Sequence, residues 1–316
     1  MTRFRNILVY ADCEREPDLD GVVALATQQQ ANVIVCDVVP AKPSAPELSD
    51  ASTSVHELMW RHALDKARRL AGQFHGLNTV DYMVLVGNKF IALVEQVIRL
   101  DIDLLVYLSA KTPIDQAPGL NSTAMHLARK CPCTVWCIPD QDVKRPERVV
   151  IGLGDPNTHS PSQSSSLVMR MANAATQLAI AGSELHLVHA WQPYGQSILH
   201  HHPDLLSDDQ RAAYLSEQEN VHQRWMTAVT HELQQNGHST IRPHIDCAPV
   251  HTAISEHARA VDADLIVIGA LDRASMPGLL IGNNAETLLL SAQLPFVIVK
   301  QRDFISPLSA TLAQSY

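Results

Sequence analysis

Short, almost continuously apolar runs alternate with helix-length stretches along this chain, and the whole alternation occurs twice. In the first half, runs over 7–11, 33–39, 79–86, 102–108 and 134–138 read as strands. Helical patterns over 19–30, 56–75, 91–100 and 122–130 separate them. The second half repeats the order, with strands over 149–153, 184–191, 240–247, 265–269 and 296–300. Its helices fall over 162–181, 208–236, 251–261 and 284–292. A strand that is apolar at nearly every position has both faces buried. The intervening helices supply the cover, so the pattern predicts β-α-β units in parallel sheets.

The repetition reaches individual residues. An ungapped shift of 161 positions lays Asp101 on Asp262, Asp103 on Asp264, Leu104 on Leu265 and Val106 on Val267. It also pairs Glu95 with Glu256, Ala124 with Ala285 and Leu127 with Leu288. The identities cluster in Asp-x-Asp-Leu-x-Val, where a helix end feeds a buried strand, and matched element order makes duplication the reading. A polar, proline-bounded segment over 139–146 serves as the linker. The expected domains are 1–140 and 147–301, with a tail over 302–316. Each repeat has a long connection after its second strand, over 41–55 and 192–207, rich in Pro, Ser and His. Such connections are expected to be functional or solvated loops.

Composition narrows the function. The 316 residues are 46% hydrophobic and 18% charged, enough apolar material for two cores, and they carry a net charge of −9. That balance, with no basic stripe, argues against broad binding to nucleic acid, which requires phosphate neutralisation. No apolar run approaches the ~20 residues of a membrane span, and the first strand begins without an apolar leader. The expectation is a cytoplasmic protein with neither membrane nor nucleic-acid partners.

Six cysteines are present, and a reducing compartment favours free thiols. Cys36 and Cys247 fall in strand patterns and read as core. Cys131-Pro132-Cys133 with Cys137 is the one cluster. It opens a strand, and core packing is the first reading; a metal or redox site is the alternative, weakened because no second Cys-x-x-Cys or matching histidine pair lies near it in sequence, and no metal ligand is assigned.

The strongest local signal runs from Gly269 to Asn284. It leaves the carboxyl end of a buried strand and closes at a helix start. Ligands of open α/β sheets bind at that end. Gly269 permits close backbone approach. Gly282, Asn283 and Asn284 can present backbone N–H groups to an anion at a helix N-terminus. Arg273 and Ser275 add a charge and a hydroxyl. Read without a ligand, the same residues are a strand end, a turn and a helix cap.

The layout, the Asp264–Gly269 strand and this loop resemble the universal stress protein family, twice over nearly the whole chain, as in its tandem-domain members. The resemblance implies two tandem Rossmann-like domains of the adenine nucleotide alpha hydrolase-like type, each a five-stranded parallel sheet with helices on both faces. It implies that they pack as an intramolecular pseudo-dimer through 133–138 and 296–300, with further dimerisation open. ATP-binding members carry Gly, two residues, Gly, nine residues, then Gly-Ser or Gly-Thr. Gly269 and Gly282 match the first and third glycines. Asp272 replaces the second, and Asn283 replaces the Ser or Thr. A carboxylate thus sits where phosphate would approach, at electrostatic cost unless Arg273 or a metal screens it. The family aspartate after the first strand is matched by Asp12 in the first repeat. Gly154 takes its place in the second, with Asp155 beside it. In the first repeat Leu108, Lys111 and Asn121-Ser122 stand at the glycine positions, so that copy is expected to be degenerate, with Asp12 capping its loop.

The tentative nucleotide-binding set is therefore Gly269, Asp272, Arg273, Gly282, Asn283 and Asn284, with ATP or another adenine nucleotide as the implied ligand and no required cofactor. The histidines fit a structural role. His200-His201-His202 reads as a solvated loop. His186 and His189 lie on opposite faces of one strand, and the resemblance makes His189 a core residue. His251 and His257 share no helix face well. There is no nucleophile elbow, P-loop or HExxH, so no catalytic residue is expected. Three readings stay open: a non-catalytic stress-response protein binding a small molecule or a regulatory protein partner, a weak ATPase, and a ligand-free scaffold.

Overall fold

The computed structural model describes residues 3–42, 50–77, 79–110, 121–139, 141–154, 161–238, 240–270, 283–291 and 294–309. They divide into two compact units, Met1–Arg145 with Ala270–Tyr316, and Pro146–Gly269.

The first unit contains β1 (Asn6–Ala11), α1 (Asp20–Gln29), β2 (Asn32–Val39), α2 (Asp50–Ala71), β3 (Val80–Val86) and α3 (Lys89–Arg99). It continues with β4 (Leu104–Leu108), α4 (Ser122–Lys130) and β5 (Thr134–Ile138). Its sheet order is β3-β2-β1-β4-β5, all parallel. The second unit contains β6 (Arg148–Leu153), α5 (Pro161–Leu178), β7 (Glu184–Ala190), α6 (Gln196–His201), α7 (Asp208–Gln235), β8 (Ile241–Asp246), α8 (Val250–Ala260) and β9 (Leu265–Ala270). Its strands pair in the order β9-β6-β7-β8, again parallel. Each repeat thus builds outward from its first strand through the next two, then returns to the other side of the first. The chain ends with α9 (Asn283–Ser291) and β10 (Phe296–Lys300).

The first unit gains β10 from the second repeat. β10 lies antiparallel to β5, with Phe296 opposite Cys137, Val297 opposite Trp136 and Ile298 opposite Val135. These are the two runs expected to pair. Every residue of both strands is buried, so β5 presents no bare edge.

The duplicated Asp-x-Asp has one structural task, done twice. Asp103 Oδ2 accepts from the backbone N–H groups of Arg5 (2.7 Å) and Asn6 (3.0 Å), at the start of β1. Asp264 Oδ2 accepts from those of Glu147 and Arg148, both at 2.9 Å, at the start of β6. The aspartate two residues earlier is left-handed in both copies, with φ of 49° at Asp101 and 47° at Asp262. Its carbonyl accepts a further side-chain bond, from Asn6 Nδ2 (3.1 Å) or from Arg148 Nε (2.9 Å). Aspartate tolerates this backbone region better than most residues.

One expectation fails within 192–207. The segment is not merely a loop: it holds α6 and a 3-10 turn, Pro203–Leu205. Gly195, at φ 70°, turns the chain into α6, and the Tyr214 hydroxyl of α7 donates to Tyr194 O at 2.8 Å. α7 itself starts at a full capping box formed by Ser207 and Gln210.

Asp103→Ala and Asp264→Ala should each lower unfolding stability by about 1–3 kcal/mol, because each removes a charged acceptor from two N–H groups. Urea denaturation followed by circular dichroism will measure it. An effect at one position and none at the other would show that the two clamps are not equivalent.

Candidate functional site

In the first unit, the return from β3 to β4 opens a crevice at the carboxyl ends of β1 and β4, where the direction of strand succession reverses. Asp12 stands there, directly after β1, with its N–H bonded to Leu108 O at the end of β4 (2.8 Å). Its carboxylate is held by three protein groups. Oδ1 accepts from the Tyr10 hydroxyl (3.1 Å) and from Lys89 Nζ (2.5 Å), and Oδ2 accepts from the Tyr107 hydroxyl (3.0 Å). The Tyr107 oxygen in turn accepts from Asn121 Nδ2 (2.9 Å), while Asn121 Oδ1 caps α4 by accepting from Ala124 N (2.9 Å). Beside this cluster, Lys66 Nζ donates to Ala11 O (2.6 Å) and lies 3.7 Å from Asp37 Oδ2.

Two carboxylates and two ammonium groups balance here. Burial, with Asp12 next in weight, drives both tyrosine hydroxyls far above the ordinary phenol range, so they act as neutral donors. Burial also raises the Asp37 carboxyl, against the opposing pull of Lys66. The Asp12 carboxylate is thus engaged by side chains of β1, β4 and α3.

The residues singled out in the second repeat are distributed as follows. Gly269 is the penultimate residue of β9. A Cβ there would meet Leu167 Cδ2 at 2.6 Å and Met171 Sδ at 3.1 Å, so the missing side chain is what lets α5 pack on β9. Asn283 and Asn284 open α9. Asp272, Arg273, Ser275 and Gly282 lie outside the described residues, as does Asp155. Gly154, directly after β6, is exposed.

Sequence reasoning missed the grouping of histidines in the second unit. His186 Nδ1 and His257 Nε2 are 3.0 Å apart, and His244 stacks on His257 with ring centroids 4.2 Å apart. Glu184 Oε2 lies 3.5 Å from His186 Nε2, and Arg242 bonds the other Glu184 oxygen at 2.6 Å. On the other face, buried His189 Nε2 is 2.9 Å from His222 Nδ1, and Trp191 stacks on His222. The only signal available beforehand was His186 and His244 falling in neighbouring strands. Parallel register sets Arg242 opposite His186 and His244 opposite Val188, and α8 brings His257 across them. Among the described residues, no group of three or more His, Cys, Asp and Glu side chains is placed to hold a metal ion. None of the described helices is long and apolar enough to cross a membrane.

Burial, then His244 and His186, push the His257 imidazole down from 6.5 to about 4. Burial also lowers His186, against Glu184. The unfolded chain therefore binds more protons than the folded one between these limits, and folding stability must fall as pH drops from about 6.5 toward about 4. Thermal midpoints measured across that window should decline, and His257→Gln should flatten the decline. A midpoint independent of pH in the wild type would contradict the buried neutral state.

The universal stress protein family profile matches residues 3–139 and 159–300. Universal stress protein E of Escherichia coli K12 is 23% identical over 231 residues, covering 72% of this chain and 70% of that protein. Universal stress protein E of Photorhabdus laumondii is 24% identical over 243 residues, covering 74% and 73%. Among solved structures, a universal stress protein from Archaeoglobus fulgidus superposes with a TM-score of 0.62 at 13% identity, covering 95% of this chain and 98% of the other. A protein of unknown function from Pseudomonas aeruginosa PAO1 gives 0.60 at 19% identity, covering 98% of each chain.

Proposed function

This chain belongs to the universal stress protein family, in two tandem copies, and we propose that it is a non-catalytic stress-response binding protein whose second repeat takes an adenine nucleotide or another anionic small molecule. One contrast carries the reading. The second repeat keeps the loop spacing from Gly269 to Gly282 that ATP-binding members use. In the first repeat, the Asp12 carboxylate is satisfied by Tyr10, Tyr107 and Lys89. The first copy answers its carboxylate with internal hydrogen bonds, and the second keeps the glycine spacing, which supports a ligand there.

Turnover needs more than a cradle: a metal ligand and a group that positions water are also required. Asp272 can serve as the first, and the sequence of the loop offers no evident candidate for the second. A binding and regulatory role, toward the small molecule and through it toward a protein partner, follows from that imbalance.

Equilibrium dialysis of the full chain with ATP, ADP and AMP, with mass spectrometry of co-purified small molecules, tests the reading. Asp272→Gly should tighten ATP binding about tenfold, since it removes a carboxylate from the phosphate's approach. Gly282→Val should weaken binding by at least as much, and Asp12→Ala should leave it unchanged. Absence of any bound small molecule would leave a scaffold role. Phosphate release at stoichiometric protein would establish a hydrolase instead.

A further inference from the structure

The Cys131-Pro132-Cys133 segment is more than core packing. Cys131 is fully buried and caps the C-terminus of α4, its N–H bonded to Leu127 O at 2.9 Å, whereas Cys133 is only half-buried, directly before β5. Their sulfurs converge to 3.5 Å, in hydrogen-bond contact. Two cysteines in an extended segment need not converge. Here the turn from the helix cap into the strand aims both side chains to one side.

We propose that Cys131 and Cys133 form a redox-active dithiol, which a peroxide converts to an intrachain disulfide.

The surroundings suit that chemistry. Lys300, at the end of β10, is completely buried. Its ammonium donates to Ala128 O at the C-terminal turn of α4 and lies 4.7 Å from the centre of the Phe304 ring. A buried cation close to Cys131 favours a thiolate there. Burial alone raises the Cys131 thiol, but hydrogen bonds from the Cys133 side chain and backbone, together with Lys300, bring it below its ordinary value. Burial and the bond to Cys131 raise Cys133 correspondingly. The pair thus gives up its first proton readily and shares the second. Burial drives Cys36 and Cys137 far up, and Cys247, though exposed, is raised as well.

The Cys131 thiolate acts as base: at the moment of attack it takes the Cys133 proton across the sulfur contact, leaving a transient thiolate on Cys133, the sulfur that solvent reaches. That thiolate attacks one peroxide oxygen. The O–O bond breaks, hydroxide leaves, and a sulfenic acid forms on Cys133. Cys131, giving its proton to a departing hydroxide, then attacks the Cys133 sulfur. The S–S bond forms, the S–O bond breaks, and the second hydroxide takes up from solvent the proton that the pair released on first ionising and leaves as water. Two thiols are oxidised by two electrons, and hydrogen peroxide is reduced to two waters.

The test treats the reduced full-length protein with stoichiometric hydrogen peroxide, quenches it with an alkylating reagent under denaturing conditions, and maps tryptic peptides. Peptide 131–144 should lose two hydrogen masses while its Cys137 remains alkylated, and dithiothreitol should restore it. This loss should proceed at least about tenfold faster than oxidation of Cys247. Cys133→Ser, a change at a half-exposed position, should abolish the loss and slow peroxide consumption by a similar factor. Oxidation of Cys247 before the peptide changes would overturn the proposal. So would oxygen adducts accumulating on Cys133 with Cys131 still alkylatable, or a bridge to Cys137.

Discussion

Each repeat is organised around one aspartate that gathers the start of the central strand. Asp103 and Asp264 stand just ahead of the fourth strand of their copies, and each takes two consecutive N–H groups from the entry to the first. A strand entering a parallel sheet leaves its leading amides without a ladder partner, and buried or half-buried amides must find one. Supplying both from one carboxylate sets the stagger of the first strand against the fourth. That stagger decides which residues reach the carboxyl end together. In the first unit it sets Ala11 opposite Leu108, and Asp12 follows directly into the crevice.

From this shared frame the two copies have diverged chemically. The first sets tyrosine hydroxyls and lysines around Asp12 and Asp37, a charge-balanced cluster at the end of β1. The second carries ring-to-ring histidine contacts on both faces of its second strand, with burial lowering His186 and His257 on one of them. A duplicated scaffold allows this because the backbone solution is fixed at the clamp and the strand ladder, so side chains at the far end vary without cost to the sheet.

The strands and their succession along the chain were legible because burial on both faces leaves unbroken apolar runs. The Asp-x-Asp was visible as an internal identity, but its task was not, since a carboxylate serving the backbone of a residue roughly a hundred positions away leaves no local pattern. The same distance hid the Asp12 cluster: Tyr10, Lys66, Lys89 and Tyr107 sit on four different elements. Parity along one strand correctly separated His186 from His189, yet the partners of each arrive from a neighbouring strand or helix whose register no single sequence discloses. The helix within 192–207 was missed because Pro, Ser and His dominate the composition, and a turn glycine and one tyrosine on α7 outweigh it. Of the loop proposed for nucleotide, Gly269 is explained by the packing of Leu167, a helix-to-strand contact that spacing alone does not reveal.

The β5–β10 seam has a consequence for how much of the chain can stand alone. Cut at the linker, the first repeat would bare the outer hydrogen-bonding edge of β5, leaving Val135, Trp136 and Cys137 without the strand that lies opposite them. A bare apolar edge is a template for pairing with another chain, so an isolated first repeat would self-associate.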